Sequence, residues 1–506
     1  MTVRFIEPRR DDPRLGQDRR YRMVINGRDV DAASGKTIKR ESSVHEGLVV
    51  GEWPEASRED VETAIHAARH AFDQGPWPRM SGKERASYLY KISELIKQNA
   101  EELALMESLE VGKTLAGARG EMQHCADLWH FAAGLVRGLE GTTHNEIGPD
   151  ALGLVLREPI GVVGIVTPWN YPLVIGSERM PWALGAGCTV VIKPSEFTSG
   201  STIRLGQLAR EAGLPDGVIN VVTGYGNPAG QVLAEHSMTD MIAFTGSQRV
   251  GRQIGAFAAP TIKRVGLELG GKGPQVVFAD ADLDAAADQV TSSIFGNQGQ
   301  TCIAGSRLIV EKSVAKQFVD RLARIAARVT VGDPLNPETN VGALINKTQI
   351  EKVEGYVEAG RQAGAEMVIG GVRVGNGGLF YTPTIFTGVK PDMSIVRDEI
   401  FGPVLAVQTF ETRDEAITMA NDTIYGLSGM VWSRDINNAL QTIRGIRAGR
   451  CWVNGTREGL VEMPIGGYKQ SGQGRELGHK GFEEYSEYKN IYVNLGVSEP
   501  WAPARN

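Results

Sequence analysis

Between Gly161 and Glu268 the chain alternates short apolar runs with amphipathic ones: GVVGIV, a helix through Ala183, CTVVIK, a helix near Leu205, VINVVTG, a short helix, MIAFTG, a helix after Ser247, and KRVGLEL. Strand, helix and strand repeated in this way dictate an α/β fold, a parallel sheet covered by helices on both faces with its ligand crevice at the carboxyl ends of the strands. Nucleotide binding is the default expectation for such a crevice. A second α/β block starts at PQVVFA (274–279) and runs to about Gly472. At 506 residues the chain exceeds what one core accommodates, so two or three domains are expected.

The familiar GxGxxG phosphate fingerprint is missing, because Gly224-Tyr225-Gly226 is followed by Asn-Pro-Ala before Gly230. What remains is Gly246-Ser247, which opens a helix directly after the strand MIAF, with Gly251 letting helix and sheet approach. A helix start there offers free N–H groups and the positive end of the helix dipole to a pyrophosphate. Taken alone it reads first as a serine N-cap and nothing more.

A formal net charge of -6 and the lack of an offsetting Lys/Arg cluster argue against nucleic acid as partner. The densest charge run, RDDPRLGQDRRYR at 10–22, mixes both signs and reads as a solvated tail. Cys125, Cys188, Cys302 and Cys451 are widely spaced without a CxxC pair, which suggests neither a disulfide framework nor a metal site and fits a reducing cytoplasm. His124, Cys125 and His130 read as packed or surface residues. No apolar run approaches the ~18 residues that a bilayer requires, and the N-terminus has no apolar export segment. Early in the chain, Asn26-Gly27 marks a hairpin over Met23 to Val30, and Ser57 with Asp60 and Ser81 with Glu84 announce two capped amphipathic helices, the second carrying Leu89, Ile92, Ile96 and Leu103 on one side. Alternation at Leu152, Leu154 and Leu156, and again at Ile491, Val493 and Leu495, predicts half-buried strands.

Cys302 sits in FGNQGQTCIAGS (295–306), a segment too glycine-rich to be a strand and just ahead of a clear one at Arg307 to Val310. A presented thiol and a buried structural cysteine are equally compatible with this segment alone. The motifs around it break the tie. GQTC at 299–302, ELGGK at 268–272, PWNYP at 168–172, KPSE at 193–196, FTGS at 244–247 and EIFGP at 399–403 occur in an order, and over nearly the whole chain, that resembles the aldehyde dehydrogenase superfamily, nearest its betaine-aldehyde and aminoaldehyde branch.

The resemblance implies a Rossmann-type nucleotide-binding domain (1–147 and 165–273), an α/β catalytic domain (274–472), and a small β arm (148–164 and 484–506) that joins protomers into a homodimer or homotetramer. It implies NAD as cofactor, with NADP weaker, held by Ile165, Pro168, Trp169, Lys193, Glu196, Gly226, Phe244, Gly246, Ser247, Val250, Leu269, Glu399 and Phe401. Glu196 would accept from the adenosine ribose hydroxyls and repel a 2′-phosphate. Cys302 would attack an aldehyde, Asn170 and the Cys302 backbone N–H would hold the oxyanion, and Glu268, alone or through Glu476, would activate the water that hydrolyses the thioester. Arg179 stands where many members carry a relay lysine, and arginine stays protonated, which puts that role in doubt. Positions that usually line the aldehyde tunnel with aromatics are here Glu178, Ser292, Gly296, Arg457 and Gly459, leaving only Tyr171 with a ring. A wide, wet tunnel suited to bulky or polar aldehydes is expected, with betaine aldehyde less favoured because most of the aromatic cage is missing. An acyl transfer to coenzyme A has no use for Glu268. A thiol esterase or a crystallin-like structural protein on the same fold is the alternative, but neither explains KPSE, FTGS and EIFGP together.

Overall fold

The computed structural model describes residues 3–456, 460–497 and 501–502. Among them the first large sheet orders its strands Gly472–Gln473, Arg264–Glu268, Met241–Thr245, Val162–Val166, Thr189–Lys193, Ile219–Val221, Met23–Ile25 and Arg28–Val30. The five strands of the βαβ region run parallel to one another, and the hairpin closes one edge antiparallel through Val24 opposite Val221. Val162–Val166, Thr189–Lys193 and Met241–Thr245 are buried along their whole length, as expected of strands covered on both faces. Chain order reverses between Val162–Val166 and Met241–Thr245, which puts the ligand crevice of this sheet between them.

The second sheet runs Glu366–Ile369, Thr384–Thr387, Val404–Phe410, Arg307–Glu311, Pro274–Val277, Ser428–Trp432 and Arg450–Val453. All neighbours are parallel except the Glu366–Ile369 edge. A third, three-stranded sheet pairs Ser486–Asn494 with the full length of Ala151–Pro159, and Thr142–His144 with its other edge. The Asn26-Gly27 turn adopts the two left-handed residues that such a hairpin needs. Both expected capping boxes form: Ser57 and Asp60 start Arg58–Asp73, and Ser81 and Glu84 start Gly82–Gln98. That second helix ends sooner than its apolar spacing suggests, and Leu103 belongs to the next one, Ala100–Val111.

The 10–22 run differs from a solvated tail. Leu15 and Arg19 are buried, Arg19 Nη2 donates to the Arg14 carbonyl at 2.6 Å, and the backbones of Arg19 and Tyr21 bond to Glu52. Leu15 joins the main helical core, so one apolar residue, together with the buried Arg19, is enough to fasten a segment most of whose other charges face water. Ahead of it, Arg4–Ile6 pairs in parallel with Thr330–Gly332, so the start of the chain lies against the second α/β block. No helix among the described residues is long and apolar enough to cross a membrane.

Candidate active site

Cys302 is presented by a loop that only a particular backbone can make. Asn297, Gln298 and Gly299 all adopt left-handed conformations, and a side chain at Gly299 would collide with the backbone of Gly402. Three left-handed residues in a row store strain that persists only where surroundings enforce it. Here they do: Gln300 Oε1 accepts from the Ile345 N–H at 3.0 Å, and the Gln300 carbonyl accepts from Asn170 Nδ2 at 2.8 Å. Next along, the hydroxyls of Tyr171 and Thr301 meet at 2.9 Å. Behind the Tyr171 ring lies the buried Lys113 ammonium, 4.4 Å from the centroid and paired with Glu107 and Glu121.

Glu268 reaches the same place from the first sheet. It is the last residue of Arg264–Glu268, held from one side by Gly472 and followed by a backbone turn in which the Ser471 hydroxyl donates to the Gly270 carbonyl at 2.7 Å. Gly271 packs so closely on the Cys302 carbonyl that no side chain fits there. Glu268 Oε1 is buried without a hydrogen-bond partner, and burial, reinforced by Glu476, pushes the carboxyl well above its ordinary range. Burial also raises the Cys302 thiol, with Glu399, Glu268 and Glu178 adding to the effect while the Ile303 N–H opposes it. A thiol so placed ionises only when a base takes its proton or a ligand changes the surroundings. Asn170 spends one N–H on Gln300 and keeps a second, and the Cys302 backbone N–H has no acceptor among the described residues. Glu476 is buried beside them. It pairs with Arg179 and accepts from the Tyr485 hydroxyl at 3.1 Å.

The residues expected to hold a dinucleotide line the carboxyl ends of the first sheet. Ile165 is buried within its strand, and Pro168 and Trp169 follow that strand. Glu196 follows Thr189–Lys193 and is partly exposed. Lys193 is turned inward, its Nζ donating to the carbonyls of Pro194 at 2.7 Å and Gly224 at 2.9 Å. Gly226 has open space where a Cβ would be. Ser247 caps Gln248–Ala258 by accepting from the Val250 N–H, which leaves the other first-turn N–H groups facing out. Phe244 packs under Gly246, and Leu269 packs against Gly251. From the second block, Glu399 accepts from the Gly271 N–H at 2.9 Å, and the Phe401 ring, on a left-handed backbone, meets Trp169 edge-on at 5.3 Å. A helix start with unbonded first-turn N–H groups beside its serine cap, a partly exposed carboxylate and a cleared glycine along one crevice fit a dinucleotide.

Of the expected tunnel positions, Glu178 ends the short helix Pro172–Ser177, and Ser292 and Gly296 lie at the end of Leu283–Phe295. Arg457 and Gly459 lie outside the described residues. Burial pushes Glu178 up to about 7, although Arg450 pulls it down. Arg450, Tyr485 and Lys113 were invisible to sequence reasoning. Only Arg450 left a trace, a charge in register with an aromatic residue two positions on.

The model of the aldehyde dehydrogenase family matches residues 30–491. A solved NAD-dependent aldehyde dehydrogenase from Sinorhizobium meliloti is 62% identical, with a TM-score of 0.97 over 98% of this chain and 99% of that one. Betaine aldehyde dehydrogenase of Staphylococcus aureus, solved with NAD+, is 36% identical, with a TM-score of 0.94 over 98% of this chain and 99% of that one. The betaine aldehyde dehydrogenase of Bacillus subtilis is 46% identical over 87% of this chain and 91% of that protein.

Proposed function

Since the chain belongs to the aldehyde dehydrogenase family and is an NAD-dependent oxidoreductase that oxidises aldehydes, we propose that it does so by covalent catalysis on Cys302. The observation that carries this reading is the convergence of Cys302, Glu268 and Asn170 from three separate segments, with Gly271 packed against the Cys302 backbone. Cys302 gives up its proton and its sulfur attacks the carbonyl carbon. The oxyanion then lies against the free Asn170 N–H and the Cys302 N–H, where removing one donor costs ~3 kcal/mol of transition-state stabilisation. NAD, when bound, supplies the hydride acceptor, with Glu196, Ser247, Glu399 and Phe401 among the residues that would hold it. Glu268 then takes a proton from water, which attacks the thioester on Cys302 and frees the acid. Burial raises its carboxyl, which strengthens it as the base that takes a proton from water.

We assign the nucleotide mainly to the first block and the thiol to the second, with Glu399 and Phe401 of the second block reaching the cofactor from across the crevice. The substrate we assign is a bulky or polar aldehyde. Glu178 and Ser292 replace apolar surface with polar groups, and each buried methylene of a small aliphatic substrate left without a partner forfeits about 0.8 kcal/mol. Betaine aldehyde, which names two of the relatives, is less favoured. For assembly we assign a dimer or tetramer built through the three-stranded arm, whose Leu156, Tyr488 and Tyr492 are exposed. All four cysteines are free, in keeping with a reducing cytoplasm.

The test is NADH formation, followed by absorbance, with acetaldehyde, hexanal, benzaldehyde, 3-aminopropanal and betaine aldehyde, for the wild type and Cys302→Ala. Cys302→Ala is expected to lose aldehyde oxidation and ester hydrolysis together while NAD binding persists. Loss of only one activity, or a kcat/KM maximum at acetaldehyde, counts against the thiol and the tunnel respectively.

A further inference from the structure

The support behind Tyr171 is built of charge. Lys113 lies just past the end of Ala100–Val111, where Gly112 turns left-handed and the Ser108 hydroxyl donates to the Lys113 carbonyl at 2.8 Å. Its side chain is buried, with its ammonium bonded to Glu121 of Leu115–Val136 and 3.7 Å from Glu107 Oε2. The same ammonium is 4.4 Å from the centroid of the Tyr171 ring. Glu107 reaches this segment by a second route, because its Oε1 accepts from the Leu173 N–H and from the Ser201 hydroxyl, each at 2.9 Å. Leu173 belongs to the first turn of Pro172–Ser177, a helix whose N-cap residue, Tyr171, supplies no side-chain cap. A carboxylate from another helix therefore takes an N–H that the helix itself leaves unbonded. Buried polar groups linked in this way have few alternative arrangements, and the ring they face shares that rigidity.

What the support holds is one half of the oxyanion site. Asn170 and Tyr171 are consecutive, and Cys302 follows Gln300 and Thr301 on a separate segment. Two bonds join the segments: Asn170 Nδ2 donates to the Gln300 carbonyl at 2.8 Å, and the Tyr171 and Thr301 hydroxyls meet at 2.9 Å. Resting on the reading of Cys302 as nucleophile, we propose that Lys113 is a positioning residue that acts through Tyr171 to set the spacing of the two oxyanion donors, the Asn170 side chain and the Cys302 backbone N–H. A ring that shifts when its cation is lost carries its hydroxyl with it, and Thr301 then moves Cys302 relative to Asn170. Misplacement by ~1 Å costs ~10²-fold in rate. Oxyanion donors act on charge that develops as the carbon–sulfur bond forms, so the loss falls on acylation and on kcat rather than on KM.

Lys113→Met alone strands two buried acids, so the test takes Glu121→Gln as background and adds Lys113→Met and Tyr171→Phe singly and together, with folding checked by thermal unfolding. Rapid mixing with hexanal and with benzaldehyde at saturating NAD reads acylation as first-turnover NADH formation. Alkylation by iodoacetamide, an uncharged reagent that forms no oxyanion on attack, reads the Cys302 thiol by itself. Lys113→Met is expected to slow the first turnover about tenfold or more for both aldehydes, with NAD affinity and alkylation rate held within about twofold. Tyr171→Phe should slow it as well, and adding Lys113→Met should cost little more, because the path is already cut. An unchanged first turnover, or one slowed no more than alkylation, would overturn the proposal, as would losses that multiply in the combined variant. Cys302→Ala, run alongside, separates the two readings: a first turnover that survives it would remove the Cys302 reading, whatever Lys113→Met does.

Discussion

Arg179 and Glu476 form an ion pair sealed inside the protein, Nε to Oε1 at 3.3 Å, with the Tyr485 hydroxyl donating to the other carboxylate oxygen. Burial raises Glu476 and Arg179 pulls it back. Because arginine does not release its proton, its part here is to hold Glu476 in place and favour its charged form rather than to pass protons on. Arg179→Met leaves a carboxylate buried without its counter-charge, a change that costs ~3–5 kcal/mol. Urea denaturation should show the midpoint falling accordingly. The double variant with Glu476→Gln should recover a large part of the loss, and a double variant no more stable than Arg179→Met would show that the two residues are not coupled.

Glu268 makes a sharper kinetic prediction. Its Oε1 is buried without a partner, so replacement by Gln leaves the site's shape while removing the base. A general base contributes ~10²–10⁴-fold, and if Glu268 serves deacylation only, rapid mixing should show a burst of NADH of near-normal size followed by steady turnover slowed by that factor. A missing burst would mean that the carboxylate is needed to ionise Cys302 as well.

Much of the fold was legible because its determinants are local. The Asn26-Gly27 turn, the Ser57 and Ser81 caps and the all-apolar parallel strands each follow from a few adjacent residues. The site was legible through motifs rather than through physics: nothing in the neighbourhood of Gly299 in sequence says that Gly402 will lie against it. What stayed hidden depends on contacts between distant segments. Lys113 meets Tyr171 across 58 positions, Arg450 on the second sheet acts on Glu178 at the end of a distant helix, and the 10–22 run is fastened by Glu52. Lys193 shows the same limit in reverse. Its motif promised an amine facing the nucleotide, and its burial on two carbonyls is set by Gly224, a residue 31 positions on.

That inward turn of Lys193 bears on cofactor choice. With the amine bonded to the Pro194 and Gly224 carbonyls, the partly exposed Glu196 is left as the charge after its strand, and a 2′-phosphate there meets a carboxylate. A clash of ~1.4 kcal/mol is tenfold, so NAD should exceed NADP by about that factor or more in kcat/KM. Glu196→Gln should narrow the ratio chiefly by improving NADP. Equal use of the two cofactors by the wild type would remove Glu196 from this role.

Glu110 allows a prediction about stability away from the chemistry. It is fully buried on Ala100–Val111, one oxygen accepting from the Gly200 N–H at 3.2 Å and the other without a partner beside the Tyr21 ring. Burial, with Glu107 adding to it, raises the carboxyl from 4.5 to about 8, although Gly200, Arg40 and Arg19 oppose the shift. Between those two values the folded protein holds a proton that the unfolded chain has released, so the contribution is fully present below pH ~4.5 and is lost as pH climbs through about 8. The full interval corresponds to at most roughly 5 kcal/mol. Glu110→Gln keeps an oxygen for the Gly200 N–H and removes the titration. Thermal unfolding of the two proteins from pH 5 to pH 8 should therefore diverge, the variant gaining on the wild type as pH rises because it no longer has a buried carboxyl to deprotonate. Other raised carboxyls, Glu178, Glu268 and Glu476 among them, tilt both curves alike and drop out of the difference. Parallel curves would mean that Glu110 is already ionised in the folded protein and that Arg40 and Arg19 outweigh its burial.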